Sequence, residues 1–333
     1  MMKEPLAYFD GRRLPASQLA ISPTDAGFVQ GSTVAEQLRT FGGKIFRLAD
    51  HLARLWRSLS IIGVDAGIDR EELARVAVEL VDHNHRLLED GDDLGLSIFV
   101  TPGEYPSYLA EAVASRPLVC LHTYPLPFRL WAEKYRSGQA LRTTAIRQVP
   151  ACCWPPELKC RSRMHYHLAD AQASAAEPGA RALLLDEHDR VSETSTANLL
   201  VYTAGVAAGA NRVTPVSPGG HAGLASPPPD SVLPGISLAE VKQLAAGLGV
   251  DFLDRQLAIG DVAAADEVFL SSTPFCLIPV TRLDGRPIAG GVPGPMFARL
   301  IDAWNRHVGL DIPAQARRFS RRPTPAAARG PGG

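Results

Sequence analysis

Apolar residues recur along the chain with two rhythms, one of period two and one of period three to four, which together predict mixed strands and helices. LAYFDG at 6–11 reads as a strand and turn, and Gly42-Gly43 as the turn of a hairpin between two short apolar strands. Asp50 is then placed to cap a helix in which Leu52, Leu55, Leu59 and Ile62 recur at i, i+3, i+7 and i+10. A second helix is expected over 70–88, with Leu73, Val76, Leu80, Val81 and Leu87 on one face. LGLSIFV at 94–100 and PLVCLHTYPLP at 117–127 read as strands, so residues 1–122 suggest a small α+β domain. The Pro-punctuated stretch at 123–130 is expected to connect it to a second domain over 131–311.

That second part opens with a strand at 140–150 and a helix at 162–176, stopped by Glu177-Pro178-Gly179. RALLLDEHDRVSE predicts a hairpin turning at 187–189, and NLLVY a short strand. Residues 205–230 are rich in Gly, Pro and Ala without periodicity, and are expected to form a long surface loop. LPGISLAEVKQL then starts a helix, EVFLSSTPFCLIPV is a buried strand with a turn inside it, and a last helix carries Phe297, Leu300, Ile301, Trp304 and Val308. The basic, Pro/Gly-rich tail at 312–333 is expected to be disordered.

Length and composition narrow the classes. The chain has 333 residues, 46% hydrophobic and 21% charged, enough for one large core or two ordinary ones. Lys and Arg number 34 against 35 Asp and Glu, so there is no basic surplus for a nucleic-acid partner. Five cysteines without a CxxC indicate neither a disulfide framework nor a zinc module, and His165 and His167 lack the spacing of a helical metal pair. No apolar run approaches the roughly 18 residues of a membrane span, and the first residues lack a signal-peptide core. The expectation is a cytoplasmic enzyme-sized protein that takes neither metal, membrane nor nucleic acid.

Candidate chemistry is weak residue by residue. Ser237 and Glu240 have the spacing of a capping box, with Ile236 placed to staple onto Val241, and such a helix start attracts anions. Ser271-Ser272-Thr273 offers further hydroxyl and N–H donors. Lys159, in WPPELKC, and Glu193, in RVSETSTANLL, each read alone as a surface charge. No GxSxG, Walker loop or GxGxxG fingerprint is present.

Taken in order, AGFVQGSTVAEQLRTFGGKIFRLADHLARL, ELK at 157–159, ALLLDEHDRVSETSTANLLVY, SVLPGIS and EVFLSSTPFCLIPV resemble the class IV (fold type IV) pyridoxal-phosphate aminotransferases. The spacing from Lys159 to Glu193 is most similar to that of the branched-chain members. The resemblance covers about residues 6–305 and implies an α+β, D-amino-acid aminotransferase-like fold. That fold has a small N-terminal α/β domain, a larger β-rich C-terminal domain with the cofactor in the cleft, and a homodimer. It implies pyridoxal 5'-phosphate as cofactor, and transfer of an amino group from an amino acid to a 2-oxo acid. Lys159 would form the Schiff base and shuttle the proton, and Glu193 would keep the pyridine nitrogen protonated. Arg54, Ile236, Ser237 and Thr273 would hold the phosphate, and Leu233 would lie against the ring. An aminodeoxychorismate lyase-type enzyme, or a D-amino-acid or amine transaminase, is the alternative within the family. A non-catalytic protein on the same scaffold is disfavoured by the presence of both Lys159 and Glu193.

Departures from the family pattern bear on substrate. Gln30 and Ala35 stand where branched-chain members usually carry tyrosine and phenylalanine, which makes the pocket roomier and more polar, while Arg39 is retained, and all three are candidate substrate contacts. Gly95-Leu96-Ser97 replaces a Tyr-x-Arg element, and the Arg-x-His trap of typical D-amino-acid enzymes is missing from 101–109. Met164 stands where many members have a tyrosine, and Tyr166, about 200° further around a helix, substitutes only if the helix is shifted. Arg161 and Arg163 are both candidates to hold a substrate carboxylate, Arg163 being the residue singled out, with Thr196 and Pro274 as further substrate contacts.

Overall fold

The computed structural model describes residues 4–109, 116–204 and 223–322. The chain divides into two units. One comprises Met1–Leu130, Lys159–Ser162 and Pro313–Gly333, and the other Trp131–Leu158 and Arg163–Ile312. Among the described residues, no helix is long and apolar enough to cross a membrane.

The first unit runs β1 (Leu6–Phe9), β2 (Arg12–Pro15), α1 (Ala26–Val29), β3 (Val34–Phe41), β4 (Lys44–Ile45), α2 (Leu48–Ile62), α3 (Arg70–His85), β5 (Leu94–Thr101) and β6 (Leu118–Pro125). The strands form an antiparallel sheet in the order β2-β1-β6-β5-β3-β4. Alternation along β3 sends Val34, Glu36 and Leu38 to one face and Ala35, Gln37 and Arg39 to the other. On the first face lie α2, which buries Leu52, Leu55 and Leu59, and α3, which buries Leu73, Val76, Leu80 and Val81. On the second face Gln37, Ser97 and His122 stand side by side across three strands.

Two expectations change here. Asp50 does not cap α2. Arg47, at φ +50°, takes that position, and Asp50 pairs with it at 3.1 Å from within the first turn. The helix closes at Gly63, whose φ of +66° lets its N–H reach back to Leu59 and Ser60. Residues 123–125, read as part of a connection, are the last of β6.

The second unit contains α4 (Lys134–Ser137), β7 (Gln139–Arg147), α5 (Met164–Ala176), β8 (Arg181–Leu185), β9 (Val191–Thr194), β10 (Ala197–Thr203), β11 (Gly223–Ser226), α6 (Ile236–Gly247), β12 (Phe252–Asp254), α7 (Ile259–Ala264), β13 (Glu267–Ser272), β14 (Cys276–Leu283), β15 (Arg286–Pro287) and α8 (Pro295–Val308). Its sheet runs β12-β11-β10-β13-β14-β7-β8-β9, and β9 pairs again with β10, closing a ring of strands. Leu183-Leu184, Leu199-Leu200 and Phe269-Leu270 are fully buried in succession, as strands covered on both faces require. Helix α5 lies on β7 and β8 through its small residues Ala169 and Ala173, which meet Ala182 and Leu184. Of the loop expected at 205–230, residues 223–226 form β11 beside β10, and 205–222 lie outside the described residues.

The tail expected to be disordered begins as a helix, α9 (Ile312–Phe319), with Pro313 in its first turn where a missing N–H costs nothing. Ala316 and Phe319 are buried, and the Phe319 ring lies 6.2 Å from that of Phe128. Residues 323–333 lie outside the described residues.

Candidate active site

In the second unit, the pairing of β9 with β10 sets Glu193 directly opposite Asn198. Glu193 is buried, and three side chains converge on its carboxylate. Tyr166, from α5, donates its hydroxyl to Oε1 at 2.7 Å. Gln148 Nε2 lies 2.9 Å from the same oxygen and 2.8 Å from the Tyr166 hydroxyl. Asn198 Nδ2 lies 3.4 Å from Oε2 and donates to the Leu233 carbonyl at 2.9 Å. Burial and the Glu193 carboxylate push the Tyr166 phenol well above its usual range, so it stays a donor.

Met164 is 68% exposed, and Tyr166 is the inward residue of the two; its hydroxyl is spent on Glu193. Arg163, the residue singled out for a substrate carboxylate, is placed otherwise. Its Nη2 donates to the Ser195 carbonyl, and its guanidinium lies 4.6 Å from the Tyr166 ring centre. It braces the start of α5.

Nearby, α6 starts after Gly235, which is its N-cap and provides no side-chain cap. The capping box expected from Ser237 and Glu240 is therefore not formed, and Ile236, inside the helix, is no staple. Ser237 sits in the first turn with Oγ 3.4 Å from Thr273 Oγ1, and buried Glu240 lies 3.6 Å from His307. A Cβ at position 235 would stand 2.0 Å from Asn198 Oδ1, so only glycine allows this approach. Beside Asn198 in the β10–β13 pairing, the buried Ser271 Oγ has no hydrogen-bond partner among the described residues. Uncapped N–H groups, two buried hydroxyls and an unsatisfied third make a donor set suited to an oxyanion. Thr196 is exposed and its carbonyl accepts from Ser272 Oγ at 2.6 Å; Pro274 is half-buried in the turn after Thr273.

In the first unit, residues Lys159–Ser162 pair with the start of β3. Ala35 N–H donates to the Lys159 carbonyl at 3.0 Å, and Arg161 N–H to that of Thr33 at 2.8 Å. Lys159 N–H donates to Ser58 Oγ of α2 at 3.2 Å. Behind β3, the Arg54 guanidinium grips Glu36 through Nε at 2.8 Å and Nη2 at 2.7 Å. His51 Nδ1 meets the same carboxylate at 2.7 Å. Burial alone would raise the Glu36 carboxyl, but Arg54 and His51 override it and hold it far below the usual range. Burial keeps His51 below its ordinary value. Its buried Nε2 has no hydrogen-bond partner among the described residues.

Ala35 is buried and Gln30 exposed at the end of α1. Arg39, expected at the substrate, is fully buried. It donates to Gln315 Oε1 of α9 at 2.9 Å and to the Thr40 carbonyl at 3.2 Å, with the Phe41 ring 4.1 Å away, so its charge serves the fold. Sequence reasoning passed over Tyr166 as a partner of Glu193, and also Gln148, Asn198, Glu36 and His51. The available signal was the helical phase shared by Tyr166, Ala169 and Ala173.

The chain is similar to known proteins over most of its length. The chain is 28% identical over 288 residues to the D-alanine aminotransferase of Bacillus licheniformis, covering 86% of this chain and 92% of that one. It is 26% identical over 294 residues to a Methanocaldococcus jannaschii protein provisionally named a branched-chain-amino-acid aminotransferase, covering 88% and 93%. Its fold is similar to that of the branched-chain amino acid aminotransferase from Thermobaculum terrenum, solved in its PLP-bound holo-form. There the TM-score is 0.76 at 20% identity, covering 96% of this chain and 97% of that one. The family model for amino-transferase class IV matches residues 33–283, from the strand that carries Glu36 to the end of β14. The chain thus belongs to the class IV aminotransferases, enzymes of fold type IV that move amino groups.

Proposed function

We propose that this transaminase works with pyridoxal 5'-phosphate held on Lys159, taking an amino group from an amino acid and passing it to a 2-oxo acid. When bound, the cofactor supplies an aldehyde to receive the amino group and an electron-poor ring to accept the electrons of the substrate Cα–H bond. Lys159 holds it covalently and, once released, moves the proton at the substrate Cα. Glu193 faces the ring nitrogen and keeps a proton on it. Arg54, the α6 start at Ile236 and Ser237, and Thr273 take the phosphate, and Leu233 lies against the ring. Gln30, Ala35, Thr196 and Pro274 remain the assigned substrate contacts.

The observation that carries this reading is the pairing of unlike sites in the second unit. A buried carboxylate held by Tyr166, Gln148 and Asn198 suits a ring N–H. The uncapped helix start beside it, with its buried hydroxyls, suits a phosphate. The family supports a homodimer working in the cytoplasm, which light scattering and fractionation would test.

Borohydride reduction of the holoenzyme followed by peptide mass mapping is the direct test. A cofactor adduct on Lys159 is expected, and an adduct elsewhere or none would overturn the assignment. Mixing the unreduced enzyme with L- and D-amino acids then separates transamination from the lyase alternative. A transaminase converts the bound cofactor to its amine form and releases a 2-oxo acid, whereas a lyase turns over one substrate with the cofactor unchanged.

A further inference from the structure

Lys159 and Arg161 lie two residues apart in a segment that pairs antiparallel with the start of β3, Cys160 standing opposite Val34. Arg161 reaches the open face of the sheet, where its Nη2 lies 3.4 Å from Ser97 Oγ. Ser97 Oγ also accepts from Gln37 Nε2 at 2.8 Å, and the Tyr124 hydroxyl donates to Gln37 Oε1 at 2.8 Å. His122 is the cross-strand neighbour of Ser97. Burial, with Arg161 beside it, pushes the His122 imidazole below its usual value, so the charge on this wall is that of Arg161.

The same face borders a cavity of about 370 Å³ whose lining includes Phe28, Phe99, Thr33, Thr101, His122 and Arg161. Asp25 also lines it, but its carboxylate is already engaged. Oδ1 accepts from Gly27 N–H at 2.7 Å and Oδ2 from the Thr101 hydroxyl at 2.7 Å. The cavity therefore offers a guanidinium with neighbouring polar groups at one wall and two phenyl rings for a carbon chain. Arg163, the other arginine of this stretch, is bound to Ser195 and Tyr166.

We propose that Arg161 receives a substrate carboxylate and selects carboxylate-bearing substrates, with Phe28 and Phe99 enclosing the carbon chain. This rests on Lys159 being the residue that holds the cofactor. A planar guanidinium matches a carboxylate with two parallel hydrogen bonds, which lysine cannot reproduce. The bound group is either the α-carboxylate common to all amino acids or a second carboxylate on the side chain.

The test uses the holoenzyme and its Arg161→Met and Arg161→Lys variants. One portion of each is reduced with borohydride to locate the cofactor, and a separate unreduced portion is titrated with glutamate and with alanine, of whichever enantiomer reacts, in the first half-reaction. Arg161→Met should raise the half-saturating concentration by about 10- to 100-fold, the range for losing a charged hydrogen bond, and Arg161→Lys should restore part of it. A rise for glutamate alone identifies the side-chain carboxylate, and a rise for both identifies the α-carboxylate. Unchanged half-saturation for both, or a fall confined to the maximal rate, with the adduct intact on Lys159, overturns the role of Arg161. A wild-type enzyme with no adduct on Lys159 overturns the parent assignment and this proposal with it.

Discussion

The Tyr166 hydroxyl donates to the Glu193 carboxylate at 2.7 Å, in a buried cluster with Gln148. A carboxylate proposed to face a ring nitrogen needs a fixed orientation, and this hydrogen bond supplies part of it. Tyr166→Phe removes the donor and keeps the packing. Hydrogen bonds to charged groups contribute about 1.5–3 kcal/mol, so cofactor affinity should fall by about tenfold or more, with a smaller fall in turnover. Because the Tyr166 phenol is held well above its usual value, the ratio of variant to wild type should stay flat between about pH 6 and 9. Met164→Ala, at an exposed position, should leave both quantities unchanged. Fluorescence titration of apoenzyme with cofactor checks these outcomes.

That Tyr166 rather than Met164 turns inward was legible in the sequence, though in a different feature from the family motif. Ala169 and Ala173 set the buried face of α5, and Tyr166 lies three and seven residues before them, on the same stripe. Met164 is five residues before Ala169, roughly 140° around the helix. Helix α9 shows the same lesson. Ile312, Ala316 and Phe319 recur at i, i+4 and i+7, a stripe hidden by the basic, Pro-rich composition around it. Most strands of both units were legible from alternation and apolar runs, but β11, inside the expected loop, and the short β12 and β15 were not. The N-cap of α6 was not, because Ser237-x-x-Glu240 has the local spacing of a cap while tertiary contacts bury Glu240 and seat Gly235 against Asn198. Nor was the neighbourhood of Arg161. Gly95-Leu96-Ser97 reads as the loss of a tyrosine and an arginine, yet the Tyr124 ring covers Gly95 and Arg161 reaches Ser97 from distant parts of the chain.

The buried Glu36 carboxylate, bound by Arg54 and His51, should dominate the acid sensitivity of the first unit. Glu36→Gln leaves Arg54 and His51 with a neutral partner and should cost about 3–5 kcal/mol near neutral pH. The folded carboxyl titrates far below its ordinary value of 4.5. Its stabilisation is therefore complete above that value and is lost as the pH falls beneath it toward the folded value. The gap between wild type and Glu36→Gln should narrow when urea unfolding is repeated at progressively lower pH. His51 adds a second slope, because its folded value also lies below its ordinary value of 6.5. The unfolded chain takes up the proton first, so stability begins to fall as the pH drops through that value.

Gln315 links α9 to the first unit by accepting from Arg39 at 2.9 Å and donating to Asp93 Oδ2 at 2.8 Å and the Gly91 carbonyl at 3.0 Å. Gln315→Leu is close in volume but deprives a buried guanidinium and a buried carboxylate of a partner. A loss of about 2–3 kcal/mol in urea unfolding is expected, with the kinetic constants of the folded enzyme little changed. A large loss of activity at unchanged stability would instead place Arg39 at the substrate.

Gly95 is the second residue of β5, where a Cβ would approach the Tyr124 ring to 2.2 Å. The ring cannot stay where it is beside an alanine. Overpacking of this kind costs about 1–3 kcal/mol, and here it should also displace the Tyr124 hydroxyl from Gln37, which shares Ser97 with Arg161. Gly95→Ala is therefore expected to lower stability and to weaken substrate binding together. Tyr124→Ala clears the space, so the double variant Gly95→Ala/Tyr124→Ala should be more stable than the sum of the two single losses predicts, a coupling of contacting residues. Substrate binding should not recover with it, because the hydroxyl that orders Gln37 is gone. Urea unfolding gives the first comparison and half-saturating substrate concentration the second. Additive stability losses would show that the ring moves aside without cost.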